Sequence, residues 1–371
     1  MELPQEHRKK LPVSVKIFLA IAGIGLIVAS VTLVVLMSQP RQKEEVKQGQ
    51  TDEKTETDGI FVSHDGGVEW SAVSGSEGIM PTVFEFKRGD TSKLYVGTEG
   101  QGLWVLDTGS QLFERVQDPD GILDSQASIY DIAQNGTGDT LYLAVFQKGR
   151  GRVIRLVETG SREIYTTSLE RYGIFGLAVD FTDEKHIVLA GGDGGFFETR
   201  DGGTNKAWGV ISRLREGIVR LETSPTAPNT FWALGNERGI YSTVSGGLSW
   251  IAQPEIEING NGISEVNDMR YHGARGSLML ATDYGLIETY NNGESWQDFQ
   301  TPIPARSVPI QAIAIHPRLS EAFWMASNNQ IFETEDGGIT WKHFILPVSQ
   351  KIKLLIVNPT DPQTIYAGLT Q

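Results

Sequence analysis

The chain has no cysteine, only six histidines among its 371 residues, and fewer basic than acidic side chains. Without cysteine it can form no disulfide, thiolate nucleophile, cysteine metal site or lipid-modified cysteine. The 32 lysines and arginines stand against 46 aspartates and glutamates, a formal net charge of -14. Nonspecific nucleic-acid binding requires a basic surface, so this composition argues against it.

Recognisable motifs for metal or phosphate chemistry are also missing. No pair of histidines has a metal-ligand spacing such as H-E-x-x-H, and no G-x-S-x-G nucleophile motif occurs. The glycine-rich stretch Gly191 to Gly195 joins two strand patterns and opens no helix, so it indicates a hairpin turn rather than a phosphate loop. We therefore expect no metal and no cofactor. The scattered histidines are His7, His64, His186, His272, His316 and His343.

One long hydrophobic run is present near the N-terminus. Ile17 to Met37 carries no charged residue and at about 1.5 Å per residue spans ~30 Å of hydrocarbon. A cleaved signal peptide is the alternative, but no small-residue cleavage site follows Met37. We predict a transmembrane anchor at residues 17–38, with residues 1–16 cytoplasmic and the remainder extracytoplasmic, because the preceding flank is basic. Its basic residues are Arg8, Lys9, Lys10 and Lys16.

The segment that follows the anchor differs in composition from the rest of the chain. Residues 39–58 contain no aromatic side chain and are rich in Gln, Glu, Lys and Thr. Such a segment buries too little apolar surface to fold. It is predicted to be a disordered linker between a single-pass anchor in the cell membrane and a folded domain at residues 59–371.

A short sequence box recurs along this domain. Its pattern is Ser or Thr, then Asp, Asn or Ser two residues later, Gly two after that, and Trp three residues beyond the Gly. A further copy, Phe197 to Trp208, carries two extra residues. Regular repetition of this kind determines the fold. The regular copies are Phe61 to Trp70, Tyr241 to Trp250, Ile287 to Trp296 and Phe332 to Trp341.

The box has the chemistry of a hairpin turn. A short polar side chain bonds backbone amides of the turn, and glycine accepts a positive φ at little cost. The tryptophan begins the next strand, where its ring buries roughly 150–250 Å². Repeated boxes at regular spacing share one structural requirement, so we assign their aspartates no catalysis and no calcium. The residues given this structural role are Asp65, Asp201, Asp336, Trp70, Trp208, Trp250, Trp296 and Trp341.

The spacing of the boxes counts the repeats. Trp208, Trp250, Trp296 and Trp341 are 42, 46 and 45 residues apart, the length of a four-stranded propeller blade. The 138 residues between Trp70 and Trp208 hold two degenerate boxes, which end at Phe113 and Tyr165. Seven box positions result.

The two ends of the domain are half-repeats. The N-terminal end supplies the last two strands of a repeat, and the C-terminal end, Lys353 to Gly368, supplies the first two. Their pairing would close the ring and leave no free strand edge. We predict an all-β, seven-bladed propeller with a closing blade shared by the termini. The predicted first strands are Thr82 to Phe86, Ile129 to Ile132, Ile174 to Val179, Ile218 to Leu221, Val266 to Arg270 and Ile310 to Ile315.

Basic residues recur in the loops that enter the innermost strands. On an acidic protein, a basic cluster on one ring face would bind a carboxylate or an acidic segment of a partner protein. Independent, solvated charges are the alternative. The candidate binding residues are Arg171, Arg213, Arg215 and Arg306, with Lys351 and Lys353 beside them.

Acidic loop residues are the candidates for glycoside hydrolysis, which requires two positioned carboxyl groups. We interpret them as solvated turn residues and expect no enzymatic activity. A glycan-binding or glycoside-hydrolase module is the alternative. These acids are Asp118, Asp120, Asp124, Glu255 and Glu257.

The box resembles the Asp-box, or bacterial neuraminidase repeat, S/T-x-D-x-G-x-T/S-W. Thr334, Asp336, Gly338, Thr340 and Trp341 match every fixed position. With a single N-terminal anchor, the boxes are similar to those of the photosystem II stability and assembly factor family and, more loosely, of sortilin-type receptors, whose ten blades and cysteine-rich module are absent.

The resemblance to assembly factors implies a non-catalytic scaffold that binds a protein partner through an arginine-bearing ring face. Asp-box sialidases would imply glycoside hydrolysis, but their F/Y-R-I-P segment is missing. We therefore expect a membrane-anchored, extracytoplasmic protein-binding scaffold.

Overall fold

The structure, a computed structural model, describes residues 59–180, 182–205, 207–224, 226–237 and 239–370. The predicted cytoplasmic segment 1–16, anchor 17–38 and linker 39–58 lie outside these residues. Within the described part of the chain, no helix is long and apolar enough to cross a membrane.

The described residues fold into strands, in the following order. The first two are β1 (Ile60–Ser63) and β2 (Ser71–Ala72). Blade 1 has β3 (Pro81–Phe86), β4 (Lys93–Thr98), β5 (Leu103–Asp107) and β6 (Phe113–Arg115). Blade 2 has β7 (Ser128–Gln134), β8 (Thr140–Gln147), β9 (Arg150–Val157) and β10 (Gly160–Thr166). Blade 3 has β11 (Ile174–Val179), β12 (Ile187–Gly191), β13 (Gly195–Thr199) and β14 (Gly209–Arg213).

The second half of the ring continues in the same manner. Blade 4 has β15 (Ile218–Thr223), β16 (Phe231–Gly235), β17 (Ile240–Thr243) and β18 (Ile251–Ala252), and a hairpin of β19 (Glu257–Ile258) and β20 (Asn261–Gly262) follows. Blade 5 has β21 (Val266–His272), β22 (Ser277–Thr282), β23 (Leu286–Thr289) and β24 (Gln297–Asp298). Blade 6 has β25 (Ala312–Ile315), β26 (Phe323–Ser327), β27 (Gln330–Thr334) and β28 (Lys342–Ile345), before β29 (Lys351–Val357) and β30 (Ile365–Thr370).

The last sheet is built from both ends of the described chain. Its strand order is β2-β1-β30-β29, and Phe61 of β1 lies opposite Ala367 of β30. The innermost strands contact one another in sequence around the ring, and β29 contacts β3 to complete it. The predicted all-β, seven-bladed propeller is confirmed, with this shared sheet as blade 7.

Burial explains why the inner strands could be recognised in the sequence. Every residue of β12, β16, β22 and β26 is buried, because neighbouring blades cover both faces of each sheet. The sequence of a strand covered on both faces is a continuous apolar run, which is recognisable without the structure. Outer strands such as β2 and β18 are exposed and only two residues long, so they carry almost no periodic signal.

Each box forms a turn held by its own side chains. In the copy before Trp341, Thr334 Oγ1 accepts a hydrogen bond from the Gly338 amide at 2.8 Å, and Asp336 Oδ1 accepts one from the Thr340 amide at 2.8 Å. The Trp341 indole donates to the Gly338 carbonyl at 3.1 Å. Hydrogen bonds from Thr340 lower the pKa of Asp336. The carboxylate is therefore engaged in the turn.

Residues of the box also pack against the preceding blade. Gly338 has φ 94°, and a Cβ placed there would lie 2.5 Å from Phe299 of blade 5. The Trp341 ring meets Phe299 edge-on, with centroids 6.4 Å apart. A Cβ placed on Gly67 would likewise lie 2.9 Å from the Phe344 ring of blade 6. Only glycine combines this backbone conformation with so close a contact.

The hairpin between blades 4 and 5 was not expected from the sequence. Its turn is Asn259-Gly260, with φ 52° and 75°, a pair that favours a tight hairpin turn. Ile256, Ile258 and Ile263 pack into the cluster around Trp232. The Asn-Gly pair was the available signal, but the strands are only two residues long and show no periodicity.

Candidate functional site

The antiparallel alternation of strands divides the turns between two ring faces. The top face carries the loops from the fourth strand of one blade to the first strand of the next, with the turns between second and third strands. Backbone bonds join the two sets: the Arg171 amide donates to the Gly149 carbonyl at 2.9 Å and the Arg306 amide to that of Tyr284 at 2.8 Å. The bottom face carries the boxes and the turns between first and second strands.

Two of the predicted binding residues have unusual backbone conformations on the top face. Arg171 has φ 69° and Arg306 has φ 62°, in the left-handed region that side chains rarely adopt. Both are exposed. The Arg306 guanidinium lies 6.0 Å from the centre of the Tyr284 ring and donates to the Gly262 carbonyl at 2.9 Å. Equivalent hydrogen bonds thus hold arginines at two separate loops.

The other two predicted residues lie on a third loop of the same face. Arg213 Nη2 is 2.9 Å from Asp193 Oδ2, in the turn of the glycine-rich stretch. Arg215 is exposed. Their neighbour Glu216 is buried and accepts a hydrogen bond from the Tyr241 hydroxyl at 2.7 Å, so it faces the blade interior. Among the described residues, no contact joins any two of the four arginines.

The innermost strands surround the central channel of the ring, and a cavity of about 220 Å³ lies among them. Its walls carry several charged side chains, none of which is among the site residues predicted from the sequence. Four of the six lie inside a predicted first strand, where a charge in an otherwise apolar run was the available signal, and Arg88 and Glu222 come just after such strands. The charged residues on this wall are Glu85, Arg88, Asp131, Arg220, Glu222 and Arg270.

Carboxylates of this channel join neighbouring blades. Asp131 Oδ2 accepts a hydrogen bond from the Leu177 amide of blade 3 at 2.8 Å. Asp268, at the matching position of blade 5, accepts one from the Ile313 amide of blade 6 at 3.0 Å. In each case the other oxygen accepts from the next residue of its own strand, at 2.9 Å. Both oxygens of these acids therefore accept backbone hydrogen bonds within the ring, and the acids are poorly placed to act as catalytic groups.

Arginines complete the network on one side of the channel. Arg220 Nη1 lies 3.2 Å from Asp268 Oδ1, and Arg270 Nε lies 3.4 Å from Asp268 Oδ2. Asp268 is 4% exposed, so its carboxyl group is buried between two guanidinium groups and two amides. Glu222 accepts a hydrogen bond from the Tyr271 amide at 3.1 Å. The channel therefore carries both acidic and basic side chains, with the arginines of blades 4 and 5 around Asp268.

Burial raises the pKa of three channel carboxyls, Glu85, Asp131 and Glu222. Burial raises the pKa of Glu85 to about 7, against a partly compensating hydrogen bond from Gln134. Burial likewise raises the pKa of Asp131 to about 6, although the Leu177 amide and Arg220 favour its charged form. Glu85 is therefore about half protonated near neutral pH.

Replacing Glu85 by Gln should change the pH dependence of stability. The folded-state pKa lies above the ordinary value of 4.5, so the native protein retains a proton that the unfolded chain releases. This contribution is present below about pH 4.5 and is lost as pH rises through 7. Relative to wild type, the variant should gain up to about 3 kcal/mol between these limits, measured by urea unfolding.

The exposed Glu114→Gln variant is the matched control for this change. Comparing the two variants at acid and at neutral pH separates the effect of the buried position from that of the substitution itself. If Glu85→Gln shows a constant difference from wild type, the carboxyl does not hold a proton in the folded state.

Several acids considered for glycoside hydrolysis are engaged in local turns. Asp118 Oδ2 accepts hydrogen bonds from the Ile122 and Leu123 amides, each at 2.7 Å, and Asp124 Oδ1 accepts one from the Gln126 amide at 2.9 Å. Glu257 begins the extra hairpin. Across the described ranges, no three histidine, aspartate or glutamate side chains are grouped as metal ligands.

No model of a protein family and no curated protein matches the chain. Solved structures do. The structure of YCF48 bound to D1 peptide shares 14% identity over 79% of this chain and 93% of that one, with a TM-score of 0.61. YCF48 from Cyanidioschyzon merolae shares 12% over 78% and 95%, with a TM-score of 0.59.

A second kind of propeller is equally similar. The GH74 xyloglucanase from Xanthomonas campestris shares 16% identity over 78% of this chain and 51% of that one, with a TM-score of 0.61. At such identities the likeness concerns the fold. The chain is a seven-bladed β-propeller, and its structural neighbours include both an assembly factor of photosystem II and a glycoside hydrolase.

Proposed function

We propose that this protein is a non-catalytic binding scaffold whose top face docks an acidic segment of a partner protein. The observation that carries the proposal is the pair of exposed arginines, Arg171 and Arg306, held in left-handed conformations at two loops of one face. Such conformations cost of order 1–3 kcal/mol each and cluster at functional sites. The chain has a net charge of -14, so these two arginines are exposed positive charges on an acidic protein.

The similar fold of YCF48 supports this proposal, since that propeller has been observed with a bound peptide. An acidic segment is the chemistry that complements arginine, because guanidinium groups bind carboxylates through paired hydrogen bonds. Arg213 contributes less positive charge to this face, since it already forms an ion pair with Asp193. The exposed Arg215 adds a further positive charge on the neighbouring loop.

The hydrophobic run at residues 17–38 supports a location at the membrane. We propose a single-pass anchor with the basic residues 1–16 in the cytoplasm and the propeller outside. Protease added to intact cells should then digest the propeller. A propeller that survives until the cells are lysed would contradict this placement.

Binding of a labelled glutamate-rich peptide to the full-length chain, followed by fluorescence anisotropy, tests the top face. The double variant Arg171→Glu and Arg306→Glu should weaken binding by about tenfold or more, since truncating or reversing a charged hydrogen-bond partner typically costs ~1.5–3 kcal/mol. Arg213→Glu with Arg215→Glu tests the neighbouring loop. Arg318→Glu, exposed in a bottom-face turn, is the control. Equal affinities in all variants would refute the proposal.

A glycan-binding or glycoside-hydrolase module is the second candidate, favoured by the fold shared with the xyloglucanase. Against it stand the channel carboxylates, which accept hydrogen bonds that join the blades. Incubating the full-length chain with xyloglucan and measuring released reducing sugar separates the two candidates. Release above that of a heat-inactivated sample would replace the non-catalytic proposal.

A further inference from the structure

Two of the three irregular boxes of the sequence repeat lie beside each other. Blade 2 has a degenerate box at the turn before β10, and blade 3 has the box with two extra residues after Asp201. A pocket of about 510 Å³ lies between them on the bottom face, lined by Gly160 and Ser161 from one turn and Gly202 and Thr204 from the other. Positions where a repeat departs from its own rule are often functional.

We propose that this pocket binds a small hydroxylated organic anion, with a phosphate or carboxylate as its charged group. The proposal concerns the face opposite the arginine loops and does not depend on the function proposed for them. It rests on a free hydroxyl at the pocket wall, an unusual pair of arginines, and the way in which the neighbouring acids are occupied.

Tyr142 supplies the free hydroxyl. The side chain is 5% exposed and lies in the middle of β8, yet its hydroxyl makes no hydrogen bond to any described residue. The hydroxyl lines the pocket, 3.8 Å from the point where a Cβ on Gly202 would lie. The hydroxyl is accessible from the pocket and is not among the enclosed polar atoms, so it is free to donate a hydrogen bond to a bound molecule. An oxygen of a bound anion would accept that hydrogen bond.

Two arginines face each other across the strand pair beside this hydroxyl. Arg155 of β9 and Arg162 of β10 occupy directly opposed positions, and both line the pocket. Like charges directly opposite each other destabilise a sheet. Among the described residues neither forms a salt bridge: Arg155 Nη2 reaches only Thr140 Oγ1 at 3.4 Å, and Arg162 Nη2 the Gly203 carbonyl at 3.1 Å. An anion between them would remove the repulsion.

Among the described residues, the acids of the pocket form no salt bridge with these arginines, and some of their oxygens accept backbone hydrogen bonds instead. Asp201 uses both oxygens, for the Thr204 and Asn205 amides, each at 3.1 Å. Asp120 Oδ2 accepts from the Ser161 amide at 2.7 Å, and Glu184 Oε1 from the Gly136 amide at 2.6 Å.

Asp120 and Glu184 each keep one oxygen outside these bonds, available to accept hydrogen bonds from hydroxyl groups. The pocket therefore combines cationic donors with spare acceptors. That combination suits an anion on a polyol body better than a bare inorganic ion.

Calorimetric titration of the purified full-length chain tests the pocket. The probes are glucose 6-phosphate and glucuronate, which distinguish phosphate from carboxylate, with uncharged glucose and inorganic phosphate as comparisons. We expect at least one charged sugar to bind at millimolar concentration or better, and more tightly than inorganic phosphate, with glucose not binding. Failure of both charged sugars to bind would overturn the proposal.

Variants assign the binding to this pocket. Tyr142→Phe removes a hydroxyl without a protein partner, so the fold should be unaffected while affinity falls about 2–10-fold, the value of one neutral hydrogen bond. Arg155→Met should weaken binding about tenfold or more, without lowering the melting temperature, because it also removes the opposed charge. Arg318→Met, in the bottom-face turn of blade 6, should bind as wild type. Unchanged affinity in both pocket variants, or an equal loss in Arg318→Met, would disprove the assignment.

Discussion

A chain lacking residues 364–371 is expected to show no cooperative unfolding transition. These residues contain β30, which pairs with β29 on one side and with β1 on the other. Ile365, Tyr366 and Ala367 are completely buried at the centre of that sheet. Without β30, the strands β1 and β2 lose their strand pairing with the rest of blade 7, and the ring opens at two unprotected edges.

Calorimetry and near-ultraviolet circular dichroism would measure this loss. Lys353→Ala is the control, since Lys353 is exposed at the register shift between Ile352 and Leu354 and should leave the transition unchanged. A shortened chain that still melts in one sharp transition near the wild-type temperature would show that six blades and a partial seventh suffice.

Asp268→Leu is expected to lower the free energy of unfolding by about 3 kcal/mol or more. The variant leaves Arg220 and Arg270 without their shared carboxylate in the channel, and removing one partner of a buried ion pair typically costs about 3–5 kcal/mol. It also removes the acceptor for the Met269 and Ile313 amides, the second of which joins blade 5 to blade 6. Urea denaturation monitored by tryptophan fluorescence measures the change.

Two further variants separate the causes. Asp268→Asn keeps one acceptor oxygen and should cost less than Asp268→Leu. Arg220→Met should be destabilising in the wild type but less so, or stabilising, in the Asp268→Leu background, because it removes the unpaired charge. If Arg220→Met costs the same in both backgrounds, the two side chains are not coupled and the network adds no stability.

Much of the fold was readable from the boxes because each encodes a local turn. The spacing of Trp208, Trp250, Trp296 and Trp341 gave the blade length, and the half-repeats at the two ends gave the shared sheet. The hairpin at residues 257–262 was missed because strands of two residues have no periodicity. Tertiary packing of Ile256 and Ile258 stabilises it instead.

The candidate sites were less predictable. The sequence identified the loops that carry Arg171 and Arg306 but not their left-handed backbone, which depends on hydrogen bonds to Gly149 and Tyr284 across the top face. No role for Asp131 was predicted from the sequence, although a charged residue within an apolar strand was an available signal. Its partner, the Leu177 amide, lies in the next blade, 46 residues away.

The sequence by itself determined the number of blades, their order and the manner of closure, because turn chemistry and strand burial act over a few residues. It also determined that the box aspartates serve turns, since a shared local requirement explains every copy. Only the tertiary structure decided which charged side chains meet in the channel and that Tyr142, Arg155 and Arg162 surround one pocket. Those contacts join residues from different strands and blades, and their positions are set by the packing of the whole ring.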